Sequence, residues 1–241
     1  MEVISITGIV VNTLKYGENS KIINILTKEK GIIGVICKGA LSEKSKLRVV
    51  SNNFIYANFH LYYKEGKLGT LISADVIDYF LNIKSDIVKF SYMSYLCDLA
   101  KNVYKENNDP EIYDILISAL LKINDGLDPK IITNIVEIKY LTFLGVGLNL
   151  DGCSVCGLTS VVSMSINKGG YVCAFHKGNL KDIDAATLKM FKAYYYIDIN
   201  KISELNIKKN TIDEIDRFLN IYYKEYTGLY LKSKNFIDKV K

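Results

Sequence analysis

No stretch of this 241-residue chain approaches the about 18 uninterrupted apolar residues that a bilayer-spanning helix needs, so no membrane segment is expected. The N-terminus lacks a signal-peptide pattern, which predicts a cytoplasmic protein whose cysteines stay reduced. Histidine occurs only twice, and neither copy sits in the H-x-E arrangement of a zinc deaminase: Tyr62 lies two residues after His60, and Gly178 two after His176. There is no phosphate-binding loop, because Gly66-Lys67 has neither the upstream glycine nor a following hydroxyl. Gly145-Val146-Gly147 follows a helical pattern, whereas a dinucleotide-binding turn follows a strand. These absences point away from an enzyme, and no catalytic residue is assigned.

The residues that are present build an ordinary globular chain. Hydrophobic residues make up 49% and charged residues 24%, enough for one large core or two small ones. Net charge is +5, and its placement is uneven. Lys15, Lys21, Lys28, Lys30, Lys38, Lys44, Lys46 and Arg48 face only Glu18, Glu29 and Glu43 in the same span, so this segment alone carries an excess equal to that of the whole molecule. Such a local excess suits a polyanionic partner. It equally suits a lysine-rich surface that only keeps the protein soluble, and charge alone leaves both readings open.

Residues 1–80 read as β. Val3–Val11 is rich in β-branched residues and leads to a turn signal at Tyr16-Gly17-Glu18-Asn19; further strands are expected at 21–27, 32–37, 54–63 and 69–79. In the fourth, Ile55, Ala57, Phe59 and Leu61 alternate with Tyr56, Asn58, His60 and Tyr62. Five short strands in about 80 residues predict a closed barrel of the oligonucleotide/oligosaccharide-binding (OB) type. Cys37 reads as core. His60 reads as surface, with base stacking beside Tyr56 and Tyr62 as the sharper alternative. Lys38 to Arg48 reads as a polar, mobile basic loop.

From Ser85 the period becomes helical, with Val88, Tyr92, Leu96, Leu99 and Val103 in one stripe and Cys97 as packing. The only two prolines follow Asp109 and Asp128, each pair reading as an N-cap and a first helical position. The second helix, to about Leu144, is apolar nearly all round and is expected to be the central core helix. Further helices are expected at about 184–196 and after Thr211, where Glu214 would complete a capping box. A basic tail at 231–236 is expected to end the fold.

Between the helices lies DGCSVCGLTSVVSMSINKGGYVCAFHK, from Asp151 to Lys177. Cys153 and Cys156 form a C-x₂-C pair; Cys173 and His176 form a C-x₂-H pair. Two such pairs on tight turns can converge on one tetrahedral Zn²⁺, with Gly152, Gly157 and Gly169-Gly170 allowing the turns. Disulfides are disfavoured without a secretory signal and with an odd thiol left over. Four protein ligands leave no position for water, so the predicted zinc is structural. The predicted class is therefore α+β in two domains: a barrel over 1–80, then helical segments over 81–150 and 179–241 interrupted by a zinc hairpin over 151–178.

Gly8 to Ala40 (GIVVNTLKYGENSKIINILTKEKGIIGVICKGA), followed by Lys44-Ser45-Lys46-Leu47-Arg48, resembles the start of the bacterial RecO recombination mediators. Gly69-Thr70-Leu71, the closing LKSKNF and the place of the cysteine segment are similar to that family too. The resemblance implies an OB barrel, a helical domain and a zinc hairpin. It implies binding of single- and double-stranded DNA, annealing of complementary strands, and work with RecR in loading RecA onto strands coated by single-stranded-DNA-binding (SSB) protein. It also implies a pocket on the helical domain for the acidic SSB tail, and a cytoplasmic, nucleoid-associated location. Lys15, Lys21, Lys38, Lys44, Lys46 and Arg48 are the expected DNA contacts. Lysine predominates where many relatives carry arginine, which keeps phosphate charge but loses bidentate contacts. The alternative is an RNA-binding or transcription-associated protein built from the same barrel and zinc parts.

Overall fold

Period-2 patterning in the first third produces five strands: β1 (Glu2–Tyr16), β2 (Ser20–Thr27), β3 (Gly31–Cys37), β4 (Tyr56–Tyr63) and β5 (Gly69–Asp78). The computed structural model, which describes residues 2–240, closes them into a barrel in the order β1-β2-β3-β5-β4. All pairings are antiparallel except β3 with β5, where Val35 faces Gly69 and Ile36 faces Thr70. This is the OB-type connectivity expected from the sequence. β1 runs five residues beyond the expected end at Val11, because a bulge between Val10 and Asn12 re-phases it and pairing with β2 continues to Tyr16. Val10, Ile23, Ile25, Val35, Cys37, Ala57, Phe59 and Leu61 fill the interior with no exposure.

The segment after β3 is not the mobile loop that its polarity predicts. Leu41 donates to the Asn19 carbonyl at 3.0 Å, and turns at Ser42, Ser45 and Arg48 lead into α1 (Leu47–Val50). Ala40, Leu47 and Val50 pack onto the barrel core, and that burial is what orders the segment.

The barrel wall is apolar on both sides along β1 and β2. Ile9 and Leu26 are cross-strand partners whose side chains join the core of the helical part, together with Val11 and Phe54. That core is built by α2 (Leu81–Lys84), α3 (Ile87–Glu106), α4 (Glu111–Asn124), α5 (Pro129–Phe143), α6 (Ala185–Tyr196), α7 (Lys209–Tyr226) and α8 (Lys232–Val240), with a hairpin of β6 (Ser163–Ser165) and β7 (Gly170–Val172) between α5 and α6. Of the two proline-linked starts, the one at Asp128-Pro129 behaves as the sequence predicts, whereas α4 starts one residue late, with Pro110 at the cap position instead of Asp109. Asp128 accepts from Lys130 and Ile131, and Asp109 accepts from the Glu111 amide at 2.8 Å. The capping box at Thr211 does not form: α7 begins earlier, at Lys209, and the Thr211 hydroxyl lies 3.1 Å from that of Thr187 instead. The tail beyond Leu231 is helical, as α8, and buries Ile237.

α5 is the central helix, with Ile132, Ile135, Val136, Tyr140 and Leu141 fully buried. It is not apolar all round, since Thr133, Asn134 and Glu137 are buried too. Glu137 Oε1 accepts from the Tyr95 hydroxyl at 2.5 Å and from Lys234 Nζ at 2.6 Å. Lys234 also sits 4.5 Å over the Tyr95 ring, and Ser233 donates to Asp98 at 2.8 Å. Burial, then the Glu137 charge, holds the Tyr95 phenol well above its usual range, so it stays a donor. The LKSK motif thus fastens α8 to α3 and α5. Removing one partner of a buried ion pair leaves an uncompensated charge. Lys234→Met is expected to cost about 3 kcal/mol in urea unfolding. Adding Glu137→Met to it should restore most of that loss; a single variant as stable as the parent would contradict the role of the clasp.

Candidate metal centre and basic barrel end

The metal-ligand candidates come from two backbone turns that the hairpin brings face to face. In the first, Cys153 donates to the Leu158 carbonyl and Gly157 to that of Cys153, each at 2.8 Å. Gly152 lies so close to Gly157 that a Cβ there would meet its carbonyl oxygen at 2.6 Å, and Gly157 has φ of +76°. In the second, His176 and Lys177 both donate to the Cys173 carbonyl. The Ser154 amide donates to the Tyr171 carbonyl at 2.7 Å, tying the first turn to β7.

Cys153, Cys156, Cys173 and His176 converge, with one ligand atom from each and all within 4.8 Å of one another. Cys156 and Cys173 sulfurs are 3.8 Å apart; His176 Nδ1 is 3.3 Å from Cys173 Sγ and 3.7 Å from Cys153 Sγ. A disulfide would need about 2.05 Å. A tetrahedral ion with metal–sulfur bonds of about 2.3 Å has sulfur–sulfur edges of about 3.8 Å, so the group fits one metal ion. Burial pushes the Cys153 thiol up, but backbone N–H groups of Cys173, Val155 and Cys156 outweigh it and bring it down to about 5, favouring the thiolate a metal requires. Cys37 and Cys97 stand apart as buried core residues, and burial pushes the Cys37 thiol up to about 12. The hairpin is held to the helices by contacts between residues too far apart in the chain for the sequence to reveal. Asp151 takes Lys192 at 2.9 Å and the Tyr196 hydroxyl at 3.0 Å, while Tyr171 donates to the Leu188 carbonyl. Lys192 and Tyr196 together hold the Asp151 carboxyl below its usual range.

The basic residues gather at one end of the barrel. Lys15 is the cross-strand partner of Lys21, which in turn faces Cys37, the neighbour of Lys38. Gly39 donates to the Ser20 hydroxyl, and the turns carrying Lys44, Lys46 and Arg48 are pinned by Leu41 to Asn19. Lys15, Lys38, Lys44, Lys46 and Arg48 are exposed. Lys21 is half-buried and already engaged by Asn52 Oδ1 at 2.8 Å and the Arg48 carbonyl at 3.5 Å. Burial lowers its ammonium pKa, which the Cys37 thiolate form would raise and Arg48 lowers further. On β4, Tyr56 does not join an open stacking face: it stacks on Phe80 at 6.3 Å and is hydrogen-bonded to Tyr113 against the helices. His60 pairs with Asp75 at 2.8 Å, leaving Tyr62 as the exposed aromatic of that face.

The sequence matches the family profile described as Recombination protein O N terminal over residues 1–80, and that described as Recombination protein O C terminal over residues 84–235. It is similar to curated proteins named DNA repair protein RecO. The relative from Bacillus velezensis is 34% identical over 240 residues, covering 97% of this chain and 93% of the relative. Those from Bacillus subtilis and Listeria monocytogenes are 34% and 33% identical, with the same coverage. Among the described residues, no helix is long and apolar enough to cross a membrane.

A closed metal site contributes folding free energy directly. Cys156→Ser, at the exposed ligand, is therefore expected to lower bound metal and melting temperature together; elemental analysis and a thermal melt would check this. Unchanged metal content with an unchanged melt would contradict the site.

Proposed function

This chain belongs to the recombination protein O family, with its role in DNA repair and recombination, and from that premise we propose that it is a non-enzymatic mediator acting on DNA strands. It binds single- and double-stranded DNA, anneals complementary strands, and with RecR assists loading of RecA onto strands coated by SSB protein, whose acidic tail it also engages. Annealing needs no catalytic group. It needs cations that let two polyanions approach, and a surface that lets bases exchange partners.

The observation that carries the reading is the convergence of Lys15, Lys21, Lys38, Lys44, Lys46 and Arg48 at one barrel end, from segments up to 33 positions apart. Lys21 acts mainly by its charge and by steadying the Arg48 segment; the other five side chains are free to meet phosphates. The resident ion in the Cys153–Cys156–Cys173–His176 group is zinc, and it supplies rigidity: four protein ligands, three of them thiolates, are the structural zinc pattern. The protein works in the cytoplasm, at the nucleoid.

Changing Lys44, Lys46 and Arg48 together to glutamate should leave the melting temperature intact, since all three are exposed. Affinity should fall alike for all single-stranded sequences, the slope of log affinity against log salt should drop by about 0.7 per lost phosphate contact, and annealing should stop. Wild-type affinity and slope in that variant would sink the assignment. Annealing of complementary RNA in strong preference to DNA would favour the RNA-binding reading.

A further inference from the structure

The connector between α7 and α8 spans a cavity of about 390 Å³, within the range of small-ligand pockets. Its floor is the Glu137–Lys234–Tyr95 cluster, and Tyr223 and Tyr230 contribute aromatic walls. Tyr230 is 78% exposed, more than any other described tyrosine among the exposed large hydrophobics, and its hydroxyl accepts from Asn235 at 3.2 Å. Lys224 lines the rim, and Lys232 is exposed two residues beyond Tyr230.

Charge decides which ligand class fits. An acid group on the floor would meet Glu137, whose Oε2 is buried with no donor. A cation would meet Lys234, already neutralising that carboxylate, and Lys224 beside it. A neutral ring is left, and aromatic walls favour a flat one; the lysines at the rim favour anions outside the pocket, not in it. A nucleotide divides its chemistry in this way, with a neutral base and a charged phosphate. We propose that this pocket takes one base of a DNA single strand against Tyr230, with Lys224 and Lys232 on the adjoining phosphates. This site lies on the helical part, separate from the basic barrel end, and it rests on the reading of the protein as a DNA-strand binder. Two separate strand-holding surfaces would let one molecule present two strands to each other.

A single-stranded oligonucleotide carrying one 2-aminopurine, which loses fluorescence when stacked, tests this on the full-length, metal-loaded protein. The wild type is expected to quench the probe on binding. Tyr230→Ala should abolish the quench and weaken binding at least about fivefold, the worth of one stacked base. Tyr230→Phe should retain both, and a thermal melt should confirm that all three fold alike. Binding read by anisotropy separates the two claims. No binding by the wild type would overturn the DNA reading and the pocket with it. Binding without quench, or a quench that survives Tyr230→Ala, would overturn the pocket alone and leave it to a protein partner.

Discussion

Two phenylalanines held in a backbone region that favours glycine join the barrel to the helices. Phe54 has φ of 63° and Phe80 φ of 53°, and among the described residues they are the only non-glycine positions with positive φ. Such conformations cost of order 1–3 kcal/mol each and persist only where the surroundings over-determine them. Here the return is packing. Phe54 meets Phe90 of α3 edge-on at 5.6 Å, and Phe80 is fully buried and stacked on Tyr56 of β4. Phe54 enters β4 and Phe80 leaves β5, so the two stand where the chain passes into and out of the last hairpin of the barrel. Lys84 donates to the Phe54 carbonyl at 3.2 Å and Asp78 accepts from the Phe80 amide at 2.6 Å, holding both backbones in place. With Ile9, Val11 and Leu26 facing the same way, the barrel wall is part of the helical core.

This shared core gives the basic barrel end its rigidity relative to the rest. The turns from Lys38 to Arg48 rest on Ala40, Leu47 and Val50, and those residues rest on a barrel whose Ile9, Val11 and Leu26 are packed into the helical core. Lysines on an ordered scaffold lose less entropy on meeting phosphates than lysines on a mobile loop. Stability is supplied in the same manner elsewhere. The cysteine–histidine group brings two short turns to one point that fits a metal ion, and the Lys234–Glu137 pair fixes a terminal helix of nine residues.

Much of this was legible in the residues because local rules and tertiary structure agree. The alternation in β4 places Ala57, Phe59 and Leu61 inward without exception, and the paired C-x₂-C and C-x₂-H spacing brings the four metal-ligand candidates to one point. The family resemblance read from the strand–turn–strand start and the cysteine segment agrees with the profile matches over both parts of the chain. What was missed depends on partners distant in sequence. Glu137 looks like a solvated interruption of an apolar helix until Lys234, 97 positions away, is seen to meet it. The polarity of 38–48 mimics a free loop because Ala40 and Leu47 are too few to announce a buried underside. The Thr211–Glu214 spacing forms no cap because Thr187 engages the hydroxyl. Tyr56 matches a stacking face by period alone, but the helices already cover that end of the strand.

The central claim is that an ordered basic end of the barrel is where the DNA strand lies. Amide hydrogen exchange of the metal-loaded protein, with and without a saturating single-stranded oligonucleotide, reads this without any substitution. The account predicts added protection in the segments 15–21 and 38–50, on top of measurable protection of 38–50 in the free protein from its hydrogen-bonded turns. Unprotected turns in the free protein, or a DNA footprint that leaves both segments unchanged, would contradict it.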